Sequence, residues 1–402
     1  MGLFTASWAL LGLGAFGLTL ALNAWRPTHW GPLRGMSFLA QVVVAECAPW
    51  ALLALGLLAG GLATSSGALG DWPGWVGLGL SVAAGLVLLR VIALALDTRQ
   101  IVEAALKVSG LGPLSTEPGR WRRALLPRFF NAGLVERIDD LRYAEGAGSR
   151  RLLDVYRKRG GVSGAPVLLQ IHGGAWVVGN KRTQGRPLLT RMAGAGWVCV
   201  AINYRLSPRA RFPDHLVDCK LALAWIRAHI AEYGGDPDRV VVTGGSAGGH
   251  LACLVALTQN DPAFQPGFET ADTSVLACVP VYGPFDIDQV LARYPPRLAK
   301  WFSRGVFGRD LRTASPITHV RAGLPPMFVI QGAHDNVVPA QIAHTFTAAV
   351  RAAGNENIIH LEVPGGAHAF DLFHSIRSEA VISGIHCYLE KIAAAGRPGT
   401  HG

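Results

Sequence analysis

Three stretches of the 402-residue sequence carry side chains able to do acyl-transfer chemistry together. In "RVVVTGGSAGGHLACLVAL", residues 239–257, Ser246 stands between glycines, at the junction of an apolar β-branched run and a helix-like pattern. A serine hydroxyl attacks a carbonyl only if it is exposed on a sharp turn and a base takes its proton. Flanking Gly244 and Gly248 would let strand and helix approach closely enough to make that turn. Candidates for base and orienting acid follow in chain order: Asp335 in "PMFVIQGAHDNVVP" and His368 in "IIHLEVPGGAHAFDLF". A fourth stretch, "LLQIHGGAWVVGNKR", could supply backbone N–H donors to a developing oxyanion through Gly173 and Gly174, with the Ala247 N–H as a third and His172 supporting the loop. Read singly, each residue has an ordinary explanation. Ser and Asp favour turns and caps, Gly marks loops, and one histidine among 13 is unremarkable. Asp214 and Asp218 read as the polar edge of a helix start, and His334 and His374 as packing or loop residues.

The elements that must position these groups are legible as short apolar runs alternating with helix-length stretches after Asp140. The runs are "LRYAEG", "RLLDVYR", "PVLLQIH", "WVCVAIN", "RVVVTGG", "SVLACVPVY", "PMFVIQG" and "NIIHLEV"; the helices include 213–233, 246–258, 339–353 and 376–395. This alternation predicts an α/β fold, a mostly parallel sheet with helices on both faces. Such sheets bind ligands at the carboxyl ends of their strands, where the candidate residues fall. Between the Ser246 helix and Asp335 lies an aromatic segment, 283–312. It packs on the sheet or caps an acyl-binding pocket, with Trp301 and Phe307, together with Trp176, as tentative substrate contacts.

Residues 141–395 resemble the hormone-sensitive-lipase-like branch of the α/β-hydrolase carboxylesterases and lipases. The resemblance rests on "HGGAW", "NYRLSPRARFPDHLVD", "EYGGDPDRVVVTGGSAGGHLA", "GAHDNVVP" and "GGAHAF", in family order. It implies a Ser246–Asp335–His368 triad, an acyl-enzyme and no cofactor or metal. Two departures stand out: Ala175 replaces the third glycine of an HGGG loop, and Gly245 stands where the branch often has Asp. Prenylcysteine methylesterases and formamidase-like hydrolases share several of these features, so deacetylase, amidase or acyltransferase chemistry at the same serine stays open, as does a silent binding role.

The remaining chain reads as membrane. Half of all residues are hydrophobic and the mean hydropathy is +0.29, high for a soluble protein. Residues 3–23 carry no charge and are long enough to span a bilayer, a second apolar stretch lies within 37–69, and a third runs from 75 to 96. About three helices are expected, with Pro49 separating an interfacial piece from the second span. A cleaved leader is disfavoured because the first residues lack Lys and Arg, although "ALNA" offers a cutting site. Glu46 and Arg90 are expected to pair or to snorkel at the interface. The domains are therefore expected at 1–97 (transmembrane), 98–137 (linker, cap or membrane-surface segment, with Trp121, Phe129 and Phe130) and 138–397 (catalytic).

Arg26 and Arg34 in the first loop, and Arg99, Lys107, Arg120, Arg122, Arg123 and Arg128 after the last span, predict a cytoplasmic catalytic domain and an outside N-terminus. The net charge of +10 lies wholly beyond residue 97 and suits an anionic leaflet. Nucleic acid is a poor partner, as no basic helix or aromatic-basic platform appears. The six cysteines lack metal-site or disulfide spacing and read as structural thiols. The expected partners are the membrane and a small-molecule or lipid ester.

Overall fold

A computed structural model describes residues 6–28, 34–65, 67–114, 120–125 and 133–395. Phe129 and Phe130 lie outside them. Eight strands form one sheet in the order β1-β2-β4-β3-β5-β6-β7-β8. They are β1 (Val135–Arg142), β2 (Leu152–Lys158), β3 (Ala165–Ile171), β4 (Val198–Ile202), β5 (Gly235–Gly245), β6 (Ala277–Val281), β7 (Met327–Gly332) and β8 (Ile358–Val363). β1–β2 and β2–β4 pair antiparallel, and every other neighbouring pair is parallel.

Every residue of β4, β6 and β7 is buried, as expected of parallel strands covered on both faces. The edge strand differs. "LRYAEG" is not a separate strand; the pairing segment is the earlier "VERIDDLR", whose charges hide its strand character while protecting an open sheet edge.

Helices cover both faces. α7 (Asp214–His229), α8 (Ala247–Leu257) and α11 (Ala340–Ala352) bury Leu216, Leu251 and Phe346 against one face, with alternate residues Val167, Leu169 and Ile171 of β3. α6 (Arg186–Gly194) and α12 (Ile376–Ala395) bury Leu189, Met192, Ile385 and Leu389 against the other, with Leu168. Two short helices, α9 (Ile287–Leu291) and α10 (Pro296–Gly305), lie between β6 and β7. All six cysteines are free thiols.

The N-terminal part holds α1 (Ala6–Trp25), α2 (Arg34–Glu46), α3 (Ala48–Ala63) and α4 (Trp72–Lys107). α1 and α4 are each long and apolar enough to cross a membrane, and α2 and α3 form a pair bent by 88° that counts as a third crossing if taken together. Pro49 sits at the start of α3, where a missing N–H costs nothing, so the break falls where expected. α4 does not stop at Asp97. Its 36 residues reach about 54 Å, and its last turns bury Val102 and Leu106 in the same core as Ile385 and Leu389. The short α5 (Arg120–Leu125) also rests on α12, where Arg123 Nε donates to Glu379 Oε2 at 2.9 Å.

Glu46 and Arg90 do not pair. Arg90 is exposed, whereas Glu46 is buried against Arg377 at the head of α12 and accepts a hydrogen bond from Ser375 Oγ at 2.7 Å. A buried carboxylate left without a partner would be costly, so the pairing with Arg377 is what allows Glu46 to be buried. Arg377 belongs to the sheet domain.

Candidate active site

β5 runs straight into α8, and Ser246 occupies the corner with φ 58° and ψ −122°. The conformation is strained for a side-chain-bearing residue. It is held by the Ser246 N–H donating to Val281 O at 3.0 Å and by packing that only glycine permits. A Cβ on Gly248 would come within 2.1 Å of Ile171 O, and one on Gly244 within 2.4 Å of Gly248 O. The departure at Gly245 has a steric reason as well. A Cβ there would meet Tyr282 Oη at 2.6 Å, and the Tyr282 ring, hydrogen-bonded to Asp371, packs 4.7 Å from the His368 ring.

Asp335 follows β7 and His368 follows β8. Their loops are joined by His334 N–H donating to Gly366 O at 2.9 Å. His368 Nδ1 lies 2.7 Å from Asp335 Oδ2, and His368 Nε2 lies 2.8 Å from Ser246 Oγ. With the Nδ1–H donating to the carboxylate, Nε2 is left to accept from the serine hydroxyl. Asp335 is itself fixed. Its Oδ1 accepts from the N–H groups of Val337 and Val338, both at 2.8 Å, and its Oδ2 accepts from Gln331 Nε2 at 3.0 Å.

The loop 172–181 arches beside Ser246. His172 stacks on Tyr204 at 4.4 Å, donates from Nδ1 to Gly173 O at 2.7 Å and is held to about 4 by burial, so it stays neutral and braces the turn. Lys181 anchors the far end through Asp154 and through Asp140 at 2.5 Å. One expectation is corrected. The Gly173 N–H already donates to Gln184 Oε1 at 2.6 Å, so it is not a free donor. Among the described residues no acceptor faces the N–H groups of Gly174 or Ala175. The Ala247 N–H, in the first turn of α8, has no partner within its helix.

An apolar cavity of about 50 Å³ adjoins Ser246, lined by Ala175, Trp176, Ile287, Phe302, Phe307 and Val338 among others. Trp176 and Phe307, two of the tentative substrate contacts, line it. Trp301 does not: it is 42% exposed and packs on the outside of Phe302, at 5.1 Å. The cover over this cavity comes from 284–307, including α9 and α10, and not from α5. His250 was not anticipated. Its Nε2–H donates to Ala314 O at 2.6 Å and its Nδ1 accepts from Trp176 Nε1 at 3.3 Å. That arrangement needs a neutral ring, and burial lowers His250 to about 3.

The competing candidates lie elsewhere. Asp218 is buried between Arg151 and Arg205, Asp214 pairs with Arg205 at 3.3 Å, and His374 pairs with Glu379 at 2.5 Å. His334 gives its carbonyl to Gln41. Gln331, Gln184 and Tyr282 also shape the site, and a lone glutamine or tyrosine in an apolar run carries no sequence signal of that role.

The chain is 43% identical over 314 residues to the probable carboxylic ester hydrolase LipM of Mycobacterium tuberculosis, spanning 73% of this chain and 72% of that one. This chain belongs to the α/β-hydrolase esterases. Esterase LipQ of the same organism is 42% identical over 293 residues, covering 71% of this chain and 67% of LipQ. The BD-FAE family model matches residues 153–350. Among solved structures, esterase 2 of Thermogutta terrifontis superposes with a TM-score of 0.54 at 28% identity, covering 65% of this chain and 96% of that one. As an α/β-hydrolase esterase, the chain is a carboxylic ester hydrolase.

Proposed function

We propose that this esterase is a membrane-anchored serine hydrolase that cleaves apolar acyl esters through an acyl-enzyme on Ser246. The observation that carries this reading is the unbroken hydrogen-bond relay from Asp335 through His368 to Ser246 Oγ, at 2.7 and 2.8 Å. His368 Nε2 takes the serine proton as Oγ attacks the carbonyl, and it returns that proton to the leaving alcohol. Asp335 holds the ring and stabilises its cation. Water then repeats the cycle on the acyl-serine. The N–H groups of Gly174, Ala175 and Ala247 receive the oxyanion. Gly173, which would first have to give up Gln184, holds the loop instead.

The small cavity lined by Trp176 and Phe307 suits a short acyl group, and the relative from Thermogutta was solved with butyrate bound. In this reading residues 1–97 are the membrane part and 138–397 the catalytic domain. That domain faces the cytoplasm, following the Lys/Arg bias.

The test is labelling with a tagged fluorophosphonate in native membranes, beside hydrolysis of p-nitrophenyl acetate. Labelling and turnover in the wild type, both lost in Ser246→Ala, are expected. A properly inserted wild type that neither labels nor hydrolyses the ester would overturn the reading. Fusing a reporter active only outside the cell to the C-terminus tests the orientation, and a silent reporter is expected.

A further inference from the structure

α2 is built unlike the other N-terminal helices. One face lies on the sheet domain, beside the relay: the Phe38 ring stands edge-on to His368 at 5.9 Å, Gln41 Nε2 donates to His334 O at 3.0 Å, and Val42 packs with Ala367 and Phe373. Glu46 closes the helix onto Arg377 and Ser375. The opposite face is apolar and bare. Met36, Leu39 and Val43, at helical spacing, are 73%, 65% and 55% exposed.

What covers that face follows from the neighbouring helices. Trp8 and Trp72 meet at 5.6 Å at one end of α1 and α4, while Trp25 ends α1 and half-exposed Trp50 and Trp121 gather near the other end, with Trp50 Nε1 donating to Leu125 O. Trp8 to Trp25 spans about 26 Å of helix, close to a bilayer's hydrocarbon thickness, and tryptophan collects at its two interfaces. α2 is bent by 88° from α3 at this second level; in the membrane-anchored reading it lies along the interface with its bare stripe toward lipid.

The two sides of Ser246 are therefore unequal. The leaving alcohol must lie beside His368 Nε2 to receive its proton, and on that side stands Phe38 of α2. The apolar cavity, which neither His368 nor Phe38 lines, is left for the acyl group. It is small, about 50 Å³, and walled by apolar side chains. Resting on the serine-hydrolase reading, we infer that the substrate is a membrane-resident amphiphile carrying a short acyl ester: the acyl group enters the cavity and the long alcohol part stays in the leaflet along α2. The reaction releases a short carboxylic acid into water and leaves the deacylated alcohol in the membrane. This is the opposite of a methylesterase, where the small group is the alcohol.

Full-length protein in phosphatidylcholine vesicles tests it with two ester series. In p-nitrophenyl esters lengthened from acetyl to dodecanoyl, kcat/KM is expected to fall about a hundredfold, because added methylenes find no room. In alkyl acetates lengthened from ethyl to hexadecyl, it is expected to rise about tenfold as binding energy accrues along α2. In Leu39→Gln/Val43→Gln the hexadecyl-to-ethyl ratio is expected to fall about tenfold, while the ratio across the acyl series stays as in the wild type. A preference for long acyl chains, a flat alcohol series, or hydrolysis of a farnesylcysteine methyl ester in preference to hexadecyl acetate would overturn the inference while leaving the hydrolase standing. Absence of both fluorophosphonate labelling and turnover on every ester would instead remove the serine-hydrolase reading and this one with it.

Discussion

The helical region and the sheet domain bury side chains by opposite rules. In the sheet domain large apolar groups point inward, as in the wholly buried β4, β6 and β7. In α1 the buried positions are mostly small, Ser7, Gly14, Ala21 and Ala24, while Phe16 is 64% exposed. A Cβ on Gly77 of α4 would come within 2.4 Å of the Leu10 backbone, so the two helices touch nearly backbone to backbone. That is how helices pack when the surrounding solvent is as apolar as leucine. α4 changes along its length. Up to Ala84 its buried positions are small, Gly74, Gly77, Ser81 and Ala84 among them; from Leu88 on it also buries Leu88, Val91, Val102 and Leu106, and beyond Asp97 it carries Arg99 and Glu103, paired at 3.0 Å. One continuous helix thus runs from the apolar N-terminal helices into the core of the sheet domain.

The sharpest division between the regions is chemical, since the relay belongs to the sheet domain alone. Ser246→Ala or His368→Ala is expected to lower kcat by about 10⁴ to 10⁶, and Asp335→Asn by about 10⁴. The losses are expected not to add in the double variants, because the three groups act as one. Steady-state kinetics on p-nitrophenyl acetate measures all of them, and additive losses would contradict the relay.

Next in size is the seam. Glu46→Ala strands Arg377, which is buried, and is expected to weaken the attachment of α2 by about 3–5 kcal/mol. The double replacement Glu46→Met/Arg377→Met is expected to cost less than the single one. Limited proteolysis and thermal unfolding in detergent read the difference, and equal losses would show that the charge pair is not what holds the seam.

Acid should separate the two regions. His172 and His250 are held neutral by burial, at about 4 and about 3 against an ordinary 6.5. The unfolded chain therefore binds more protons below pH 6.5, and stability falls as pH drops through that window. Roughly 3 kcal/mol is lost on account of His172 by pH 4. α1, α3 and α4 contain no histidine. Circular dichroism between pH 7 and 4 is expected to show the loss of sheet signal before helix signal; simultaneous loss would tie the regions more tightly than the seam implies. The smallest effect belongs to Trp301→Ala. This exposed ring lies outside the cavity, and both stability and kcat/KM on p-nitrophenyl acetate are expected to stay within about 0.5 kcal/mol of wild type.

Local period and turn chemistry made part of this protein legible in the sequence. Apolar runs marked seven of the eight strands, and Ser246, Asp335 and His368 each followed a run, where a parallel sheet presents ligand-binding residues. Glycines flanking Ser246 announced the tight corner, and Pro49 announced the break between α2 and α3. β1 escaped because a charged edge strand has no apolar run to read.

Which distant polar groups meet depends on how whole elements pack. Glu46 and Arg377 are 331 residues apart, Gln41 and His334 are 293 apart, and Gln184 takes the amide of Gly173 from across its loop. Tertiary structure also chose Phe302 over Trp301 for the cavity and placed α2 beside His368. A periodic apolar pattern says which way a segment faces, because burial acts on every residue of that face. It cannot say which buried carboxylate finds which guanidinium, since that choice is made once, by the packing of whole elements against one another.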